Sequence, residues 1–106
     1  MSEINGALSG LKIVACSTAQ AGTVPYMLMA DLGAEVIKIE TPGKGDNNRN
    51  SGFLEGEIGS FFETNNRGVK SLTLNLKSEN GQKILHSLIK DADVFGQNFR
   101  PGVAKK

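Results

Sequence analysis

The first half of the chain consists of short apolar runs separated by turns that contain glycine. Residues 11–16 are mostly apolar and are followed by small polar residues, which predicts a strand covered on both faces. Thr23 predicts the N-cap of a helix with Pro25 in its first turn and Gly33 as its stop. Residues 35–40 predict a second strand, so this half forms a β-α-β unit. The predicted apolar face of this helix carries Val24, Met27, Leu28 and Leu32.

The second half begins with a long polar stretch and then returns to regular patterns. Residues 41–59 are rich in glycine and asparagine and lack periodicity, which predicts an irregular loop of a functional or mobile kind. Residues 71–76 alternate strictly and predict a third strand. Ser78 predicts the N-cap of a helix that runs to Asp91, and residues 93–99 predict a fourth strand. This order of elements predicts an α/β fold with a parallel sheet and right-handed crossovers. The apolar stripe of the second helix carries Ile84, Leu85, Leu88 and Ile89.

Composition and charge narrow the class of protein. The 106 residues have the length of one domain, and 39% hydrophobic with 22% charged residues is typical of globular chains. A net charge of +1 gives no long-range field that selects nucleic acid or an anionic membrane, so neither is expected as a partner. No apolar run approaches the roughly 20 residues of a membrane span. Residues 1–10 also lack a signal-peptide pattern, which favours a cytoplasmic location.

Ligands of open α/β sheets bind beyond the carboxyl ends of the strands, and three segments are predicted there. Residues 17–22 offer main-chain amides at a helix N-terminus, which suit phosphate or carboxylate. Residues 41–49 contain two glycines that allow close approach to the backbone, and Lys44 adds a positive charge. After the last strand, Phe99 can stack on a planar ring and Arg100 can contact a phosphate. Each segment also has a plainer interpretation, as a turn, a solvated loop and a core aromatic residue respectively.

Other reactive side chains give weaker signals. Cys16 ends a buried strand and is expected in the core, and His86 is expected at the surface, so neither a nucleophile nor a zinc cluster is predicted. Glu40 lies 18 residues beyond Gly22, close to the spacing of the acidic residue that holds a ribose hydroxyl in dinucleotide-binding folds. The G-x-G-x-x-G fingerprint is missing from the turn, so the signal for NAD is weak.

Four strings in register carry a resemblance to a known family. They are QAG at 20–22, then ADLGAEVIKIE at 30–40 followed by G-x-G-D-x-x-R at 43–49, then NRGVKSLTLNLK at 66–77, and finally ADV at 92–94 with NFRPGV at 98–103. Their order and spacing resemble the N-terminal part of the class III CoA-transferases. That family includes formyl-CoA and carnitine CoA-transferases and the related α-methylacyl-CoA racemases.

The resemblance implies a function that the pattern alone does not give. Members of the family move coenzyme A between acyl-CoA and carboxylic acids, with CoA as a substrate and no permanently bound cofactor. Residues 1–106 would form the N-terminal CoA-binding part of a Rossmann-like domain, incomplete here, and full-length chains would form an interlocked homodimer. The family's catalytic aspartate, which attacks the thioester, would lie beyond Lys106, so no residue here takes that role. The implied CoA contacts are Thr18, Ala19, Gln20, Ala21, Leu74, Lys77, Asn98, Phe99 and Lys106.

The chain also departs from the family pattern. Thr23 stands where proline is usual after the turn, and Thr41 stands where some relatives carry an arginine near the adenosine, so CoA affinity is expected to differ. The chain is much shorter than the family's usual length, which an N-terminal fragment explains. An acyl-CoA racemase of the same family and a non-enzymatic Rossmann-type nucleotide-binding module stay open as alternatives.

Overall fold

A parallel β-sheet forms the centre of the molecule. The computed structural model describes residues 6–18, 22–46, 49, 54–55 and 58–105. The strands in chain order are β1 (Lys12–Cys16), β2 (Glu35–Glu40), β3 (Leu54–Glu55), β4 (Ile58–Gly59), β5 (Lys70–Thr73) and β6 (Val94–Gln97). The helices are α1 (Val24–Asp31), α2 (Ser60–Asn65) and α3 (Glu79–Lys90), and a short 3₁₀ helix spans Val103–Lys105.

The sheet has the strand order β5-β2-β1-β6, and all of its neighbouring pairs are parallel. Ile13 of β1 pairs with Val36 on one side and with Val94 on the other. This arrangement confirms the predicted α/β fold, although several strand ends differ by a few residues from the prediction. The chain moves outward from β1 through β2 to β5 and then returns to the other side of β1 at β6. The carboxyl ends of β1 and β6 therefore flank a topological switch point, where such folds bind ligands.

Helices cover the two faces of the sheet, so each face has its own apolar core. On one face Val14, Cys16, Ile39 and Leu74 pack with side chains of α3, including Leu85, Leu88 and Ile89. On the other face the core consists of Ile13, Ala34 and Val36, and α1 contributes Tyr26, Met29 and Ala30. Burial on both faces explains why β1 is an apolar run rather than an alternating one.

The helix faces differ from the prediction. Of the residues expected on one face of α1, Met27 is buried, but Leu28 and Leu32 are 52% and 48% exposed. Every residue of α1 except Asp31 is apolar or aromatic, so periodicity did not select a face. A long-range contact determines which face of α1 is buried. Tyr26 packs so closely against Gly96 that a Cβ added at Gly96 would lie 1.7 Å from the Tyr26 hydroxyl oxygen. On α3, Ile84 is likewise exposed, contrary to the predicted stripe.

The stretch predicted as irregular, residues 41–59, contains regular structure. Leu54 pairs with Gly59 and Glu55 with Ile58 in an antiparallel hairpin, and α2 follows directly. The prediction was therefore wrong for the end of this stretch. Each hairpin strand has only two residues, which is too short to produce a readable alternation.

The start of α3 was predicted correctly and is tightly built. The Ser78 hydroxyl accepts a hydrogen bond from the Gly81 amide at 3.0 Å and donates one to the Asn75 carbonyl at 2.8 Å. Gly81 lies directly against this turn, because an added Cβ would be 1.9 Å from the Asn75 carbonyl oxygen. The backbone before α3 thus leaves no space for a side chain at position 81.

We expect Gly81→Ala to destabilise the fold by about 2 kcal/mol, because the new methyl group meets backbone that has to move. In an ordinary helix the same change stabilises by up to about 1 kcal/mol, so the sign of the effect is diagnostic. Urea unfolding measures it, with Ser87→Ala on the exposed side of α3 as the control, expected within about 0.5 kcal/mol of the parent chain. A stabilising Gly81→Ala would contradict the close approach.

Candidate functional site

The carboxyl edge of the sheet gathers the segments that follow each strand. Thr18 follows β1, Thr41 follows β2, Leu74 follows β5 and Asn98 follows β6. Neighbouring strands lie about 4.8 Å apart, so the edge extends over about 14 Å from β5 to β6. Of the predicted CoA contacts, Thr18, Leu74, Lys77, Asn98 and Phe99 are described and follow these strands, while Ala19, Gln20, Ala21 and Lys106 lie outside the described residues.

At the switch point, Asn98 joins the ends of β1 and β6. Its Oδ1 accepts a hydrogen bond from the Thr18 amide at 3.1 Å, and its Nδ2 donates one to the Thr18 carbonyl at 2.9 Å. These bonds continue the pairing of the two strands beyond the last backbone pair, Cys16 with Gln97. Gly22 packs against the same amide, because an added Cβ would be 2.5 Å from Nδ2. Asn98 therefore holds the Thr18 backbone by two hydrogen bonds and packs directly against Gly22.

The other predicted contacts occupy different environments. The Leu74 side chain is buried in the core beneath α3, and its amide donates to the Glu40 carbonyl at 3.1 Å. Lys77 is exposed at the turn before α3, where its amide donates to Asn75 Oδ1 at 3.1 Å. Phe99 is exposed rather than in the core, and its amide donates to Gln97 Oε1 at 2.6 Å. Lys77 and Phe99 thus offer side chains to a ligand, while the Leu74 side chain is packed in the core and its amide is already bonded.

A polar cleft of about 250 Å³ lies at the carboxyl ends of β2 and β5. Gly45 takes a backbone conformation with φ of +64°, which favours glycine, and this lets the loop turn back over the end of β2. The segment was expected more as a solvated loop than as part of a site, but its Asp46 is fully buried. The cleft is lined by Glu40, Thr41, Gly43, Lys44, Gly45, Arg49 and Thr73.

Two ion pairs hold the wall of this cleft, and we call them together the double ion pair: Lys38 with Asp46, and Glu40 with Arg49. Lys38 and Asp46 are both buried and in direct contact, and Lys38 Nζ also donates to Asn66 Oδ1 at 2.8 Å. Because side chains alternate along a strand, Lys38 and Glu40 lie on the same face of β2. The loop supplies the charged partners on that face, Asn66 after α2 supplies a carbonyl oxygen, and α2 itself contributes the Phe62 ring.

The Glu40 carboxylate is saturated by protein donors. Arg49 donates from Nε to Oε1 at 2.8 Å and from Nη2 to Oε2 at 2.7 Å. The Asp46 amide donates to Oε1 at 2.9 Å, and the Ser71 hydroxyl donates to Oε2. A carboxylate offers about four lone-pair sites, so none is left for a ribose hydroxyl. This removes the role on which the dinucleotide-binding alternative depended.

The pKa of Glu40 reflects this environment. Burial by itself raises the pKa, but the hydrogen bonds from Arg49, Ser71 and the Asp46 amide outweigh it and lower the pKa from 4.5 to about 2. The guanidinium of Arg49 also stacks 3.8 Å from the centre of the Phe62 ring, a cation–π contact that fixes its position.

Sequence reasoning identified the segment after β2 but missed the double ion pair. A signal was present, since the charged residues Lys38 and Glu40 interrupt the apolar pattern of the second predicted strand. Buried charges need partners, and Asp46 and Arg49 follow within nine residues of Glu40.

The remaining reactive groups have ordinary environments. Burial raises the pKa of the Cys16 thiol to about 11, so it stays protonated at neutral pH and acts as a core residue, as predicted. His86 is exposed, also as predicted. In the described ranges no group of three or more histidine, cysteine, aspartate or glutamate residues is arranged to hold a metal ion. None of the helices in those ranges is long and apolar enough to cross a bilayer.

We expect Glu40 to stabilise the fold at neutral pH and to lose this effect in acid. Because its pKa falls from 4.5 in the unfolded chain to about 2 in the folded one, its contribution is complete above about pH 4.5 and is lost as the pH falls towards 2. Glu40→Gln should lower the free energy of unfolding by roughly 3 kcal/mol at pH 7 and by much less near pH 2. Urea unfolding across this range is the measurement, with exposed Glu79→Gln as the control. An equal loss at both pH values would contradict the assignment.

The sequence matches known proteins along almost its whole length. Residues 8–106 match the family model for CoA-transferase family III. The chain is 40% identical over 98 residues to the acetyl-CoA:oxalate CoA-transferase of Acetobacter aceti, an alignment that covers 92% of this chain and 25% of that protein. It is 41% identical over 97 residues to the succinyl-CoA:glutarate CoA-transferase of Homo sapiens, covering 90% of this chain and 22% of that protein.

Solved structures agree with the sequence matches. A CAIB/BAIF family protein from Brucella suis superposes with a TM-score of 0.87 at 37% identity, covering 95% of this chain and 28% of that one. The chain spans about a quarter of the length of the curated relatives it matches, so its fold is part of a larger domain. Family model, relatives and fold agree, and the chain belongs to CoA-transferase family III.

Proposed function

We propose that this chain supplies part of the CoA site of an enzyme that transfers coenzyme A between an acyl-CoA and a carboxylic acid. The observation that carries the proposal is the match of residues 8–106 to CoA-transferase family III. The named relatives from Acetobacter aceti and Homo sapiens are both CoA-transferases that act on carboxylic acids and their CoA thioesters.

The carboxyl edge of the sheet is the proposed binding surface. CoA is long and flexible, and the edge offers an extended row of groups over about 14 Å rather than one deep pocket. The exposed ammonium of Lys77 can pair with a phosphate at the β5 end, and the Phe99 ring can stack on a planar group at the β6 end. The proposed contacts are Thr18, Ala19, Gln20, Ala21, Leu74, Lys77, Asn98, Phe99 and Lys106.

The cleft between the ends of β2 and β5 extends this surface. Lys44 is exposed on the loop, and Gly43 next to it has open space where a side chain would lie, which lets a ligand approach the backbone. The net charge of the chain is only +1, so an anionic ligand has to be held by such local groups. We place the phosphates of CoA over this cleft and Lys77.

Catalysis is proposed to need residues outside this chain. In the family, an aspartate carboxylate attacks the thioester carbonyl and releases CoA as a thiolate, and the resulting anhydride then carries the acyl group. Binding groups cannot replace that nucleophile, so the 106 residues bind CoA without transferring it. We propose the interlocked dimer of the full-length protein on the same family resemblance, and we propose the cytoplasmic location on the sequence pattern described above.

The alternatives have less support. A racemase of the same family would use the same CoA edge, but the relatives named above are transferases. A Rossmann-type module for NAD would need an acidic residue with free oxygens, and the Glu40 oxygens are already occupied by Arg49, Ser71 and the Asp46 amide. We therefore favour the CoA-transferase assignment.

We expect Lys77→Ala to weaken CoA binding roughly tenfold, because it removes a charge-assisted contact with a phosphate. Isothermal titration calorimetry with CoA measures the effect. Gln20→Ala, at another of the proposed contacts, should also weaken CoA binding. Lys90→Ala is the matched control, since it removes an exposed lysine at the far end of α3, and should leave affinity unchanged. No heat of binding with the parent chain, or equal effects of Lys77→Ala and Lys90→Ala, would count against the proposal.

The chain alone is expected to show no CoA transfer. Incubation with succinyl-CoA and glutarate, the substrates in the name of the human relative, should give no glutaryl-CoA by mass spectrometry. A longer gene product that contains the family aspartate should give exchange with its own substrates. Turnover by the 106 residues alone would contradict the assignment of the nucleophile.

A further inference from the structure

The cleft contains a carboxylate next to the groups proposed to attract phosphate. Glu40 and Arg49 both line it, together with Lys44. The Glu40 side chain is 2% exposed and that of Arg49 is 32% exposed, so Glu40 lies at the floor of the cleft and Arg49 forms part of its wall. An unpaired negative charge at this floor would oppose any phosphate bound above it.

The structure shows how Arg49 cancels this charge. Its guanidinium makes two parallel hydrogen bonds to Glu40, at 2.8 and 2.7 Å, and this bidentate geometry fixes both side chains. The ring of Phe62 covers the guanidinium at 3.8 Å. The Gly45 backbone closes over the pair, because an added Cβ would be 2.7 Å from Glu40 Oε1 and 2.9 Å from Arg49 Nε. Arg49 is therefore held in one position from several sides.

We propose that Arg49 is a positioning residue that determines the specificity of the cleft by acting through Glu40. It neutralises and saturates the carboxylate, so the cleft accepts a phosphate of the nucleotide and does not accept a ribose hydroxyl. The charge of Lys44 is then not offset by Glu40. This inference rests on the proposed CoA function and adds to it a residue outside the CoA contacts named above.

The test compares a charged and an uncharged ligand on paired variants. The variants are Arg49→Met, which leaves Glu40 without its partner, and the double variant Glu40→Gln/Arg49→Met, which removes both charges. The probes are CoA and pantetheine, the part of CoA that lacks the nucleotide and its phosphates. Two-dimensional NMR titrations of the 106-residue chain measure weak as well as tight binding and report the fold of each variant.

Arg49→Met should weaken CoA binding about tenfold, the effect of one unit charge about 6 Å from a phosphate at a partly solvated site. Pantetheine binding should not change, because it carries no phosphate. The double variant should recover CoA affinity to within about threefold of the parent chain. A purely structural role of Arg49 would instead weaken both ligands alike.

The outcomes separate this inference from the proposed function. If the parent chain does not bind CoA, the proposed function fails and this inference fails with it. If the parent chain binds CoA and Arg49→Met binds it equally well, only this inference fails. If Arg49→Met loses its folded spectrum, the test uses the double variant instead. A double variant that binds pantetheine but not CoA would show that Arg49 contacts the ligand directly, and this result would overturn the inference.

Discussion

Lys38 and Glu40 are charged residues buried on one face of an interior strand, and the rest of the site depends on how those charges are balanced. A buried charge without a partner is strongly destabilising, so the chain after β2 has to return and supply counter-charges. Asp46 and Arg49 do so, and Asn66 and Ser71 complete the hydrogen bonding. The loop after β2 is thereby anchored to the end of its own strand.

This anchoring links the core to the functional edge. The apolar residues of β1 and β2 hold the sheet between α1 and α3, but apolar packing alone does not determine where a polar loop goes. The double ion pair places Thr41 and Lys44 at the carboxyl edge, beside the carboxyl end of β5. At the other end of the edge, the Asn98 carboxamide fixes Thr18 after β1 in a similar way, by hydrogen bonds with its backbone amide and carbonyl. Both ends of the proposed CoA surface thus rely on polar side chains that are hydrogen-bonded to neighbouring groups.

Much of the fold could be predicted from the sequence, because its signals are local. The apolar run of β1, the stop at Gly33 and the cap at Ser78 each depend on a few neighbouring residues. The buried face of α1 was predicted wrongly because that helix is apolar on all sides. The close contact of Tyr26 with Gly96, which determines that face, joins residues that are far apart in the sequence.

The candidate site was predictable only in outline. Strand order and glycine positions indicated which segments meet at the carboxyl edge. The spacing between Gly22 and Glu40 could not show whether Glu40 binds a ribose hydroxyl or forms a buried ion pair, because both roles need an acidic residue at the end of this strand. Only the three-dimensional positions of Arg49 and Ser71 distinguish the two roles.

A crystal structure of the chain with CoA tests the central claim most directly. The account predicts CoA along the carboxyl edge, with its nucleotide phosphates over Lys44 and Lys77 and the remainder running towards Asn98. CoA bound at the opposite edge, near the hydrogen-bonded pair Lys12 and Asp93, or a carboxyl edge filled by other side chains, would contradict it.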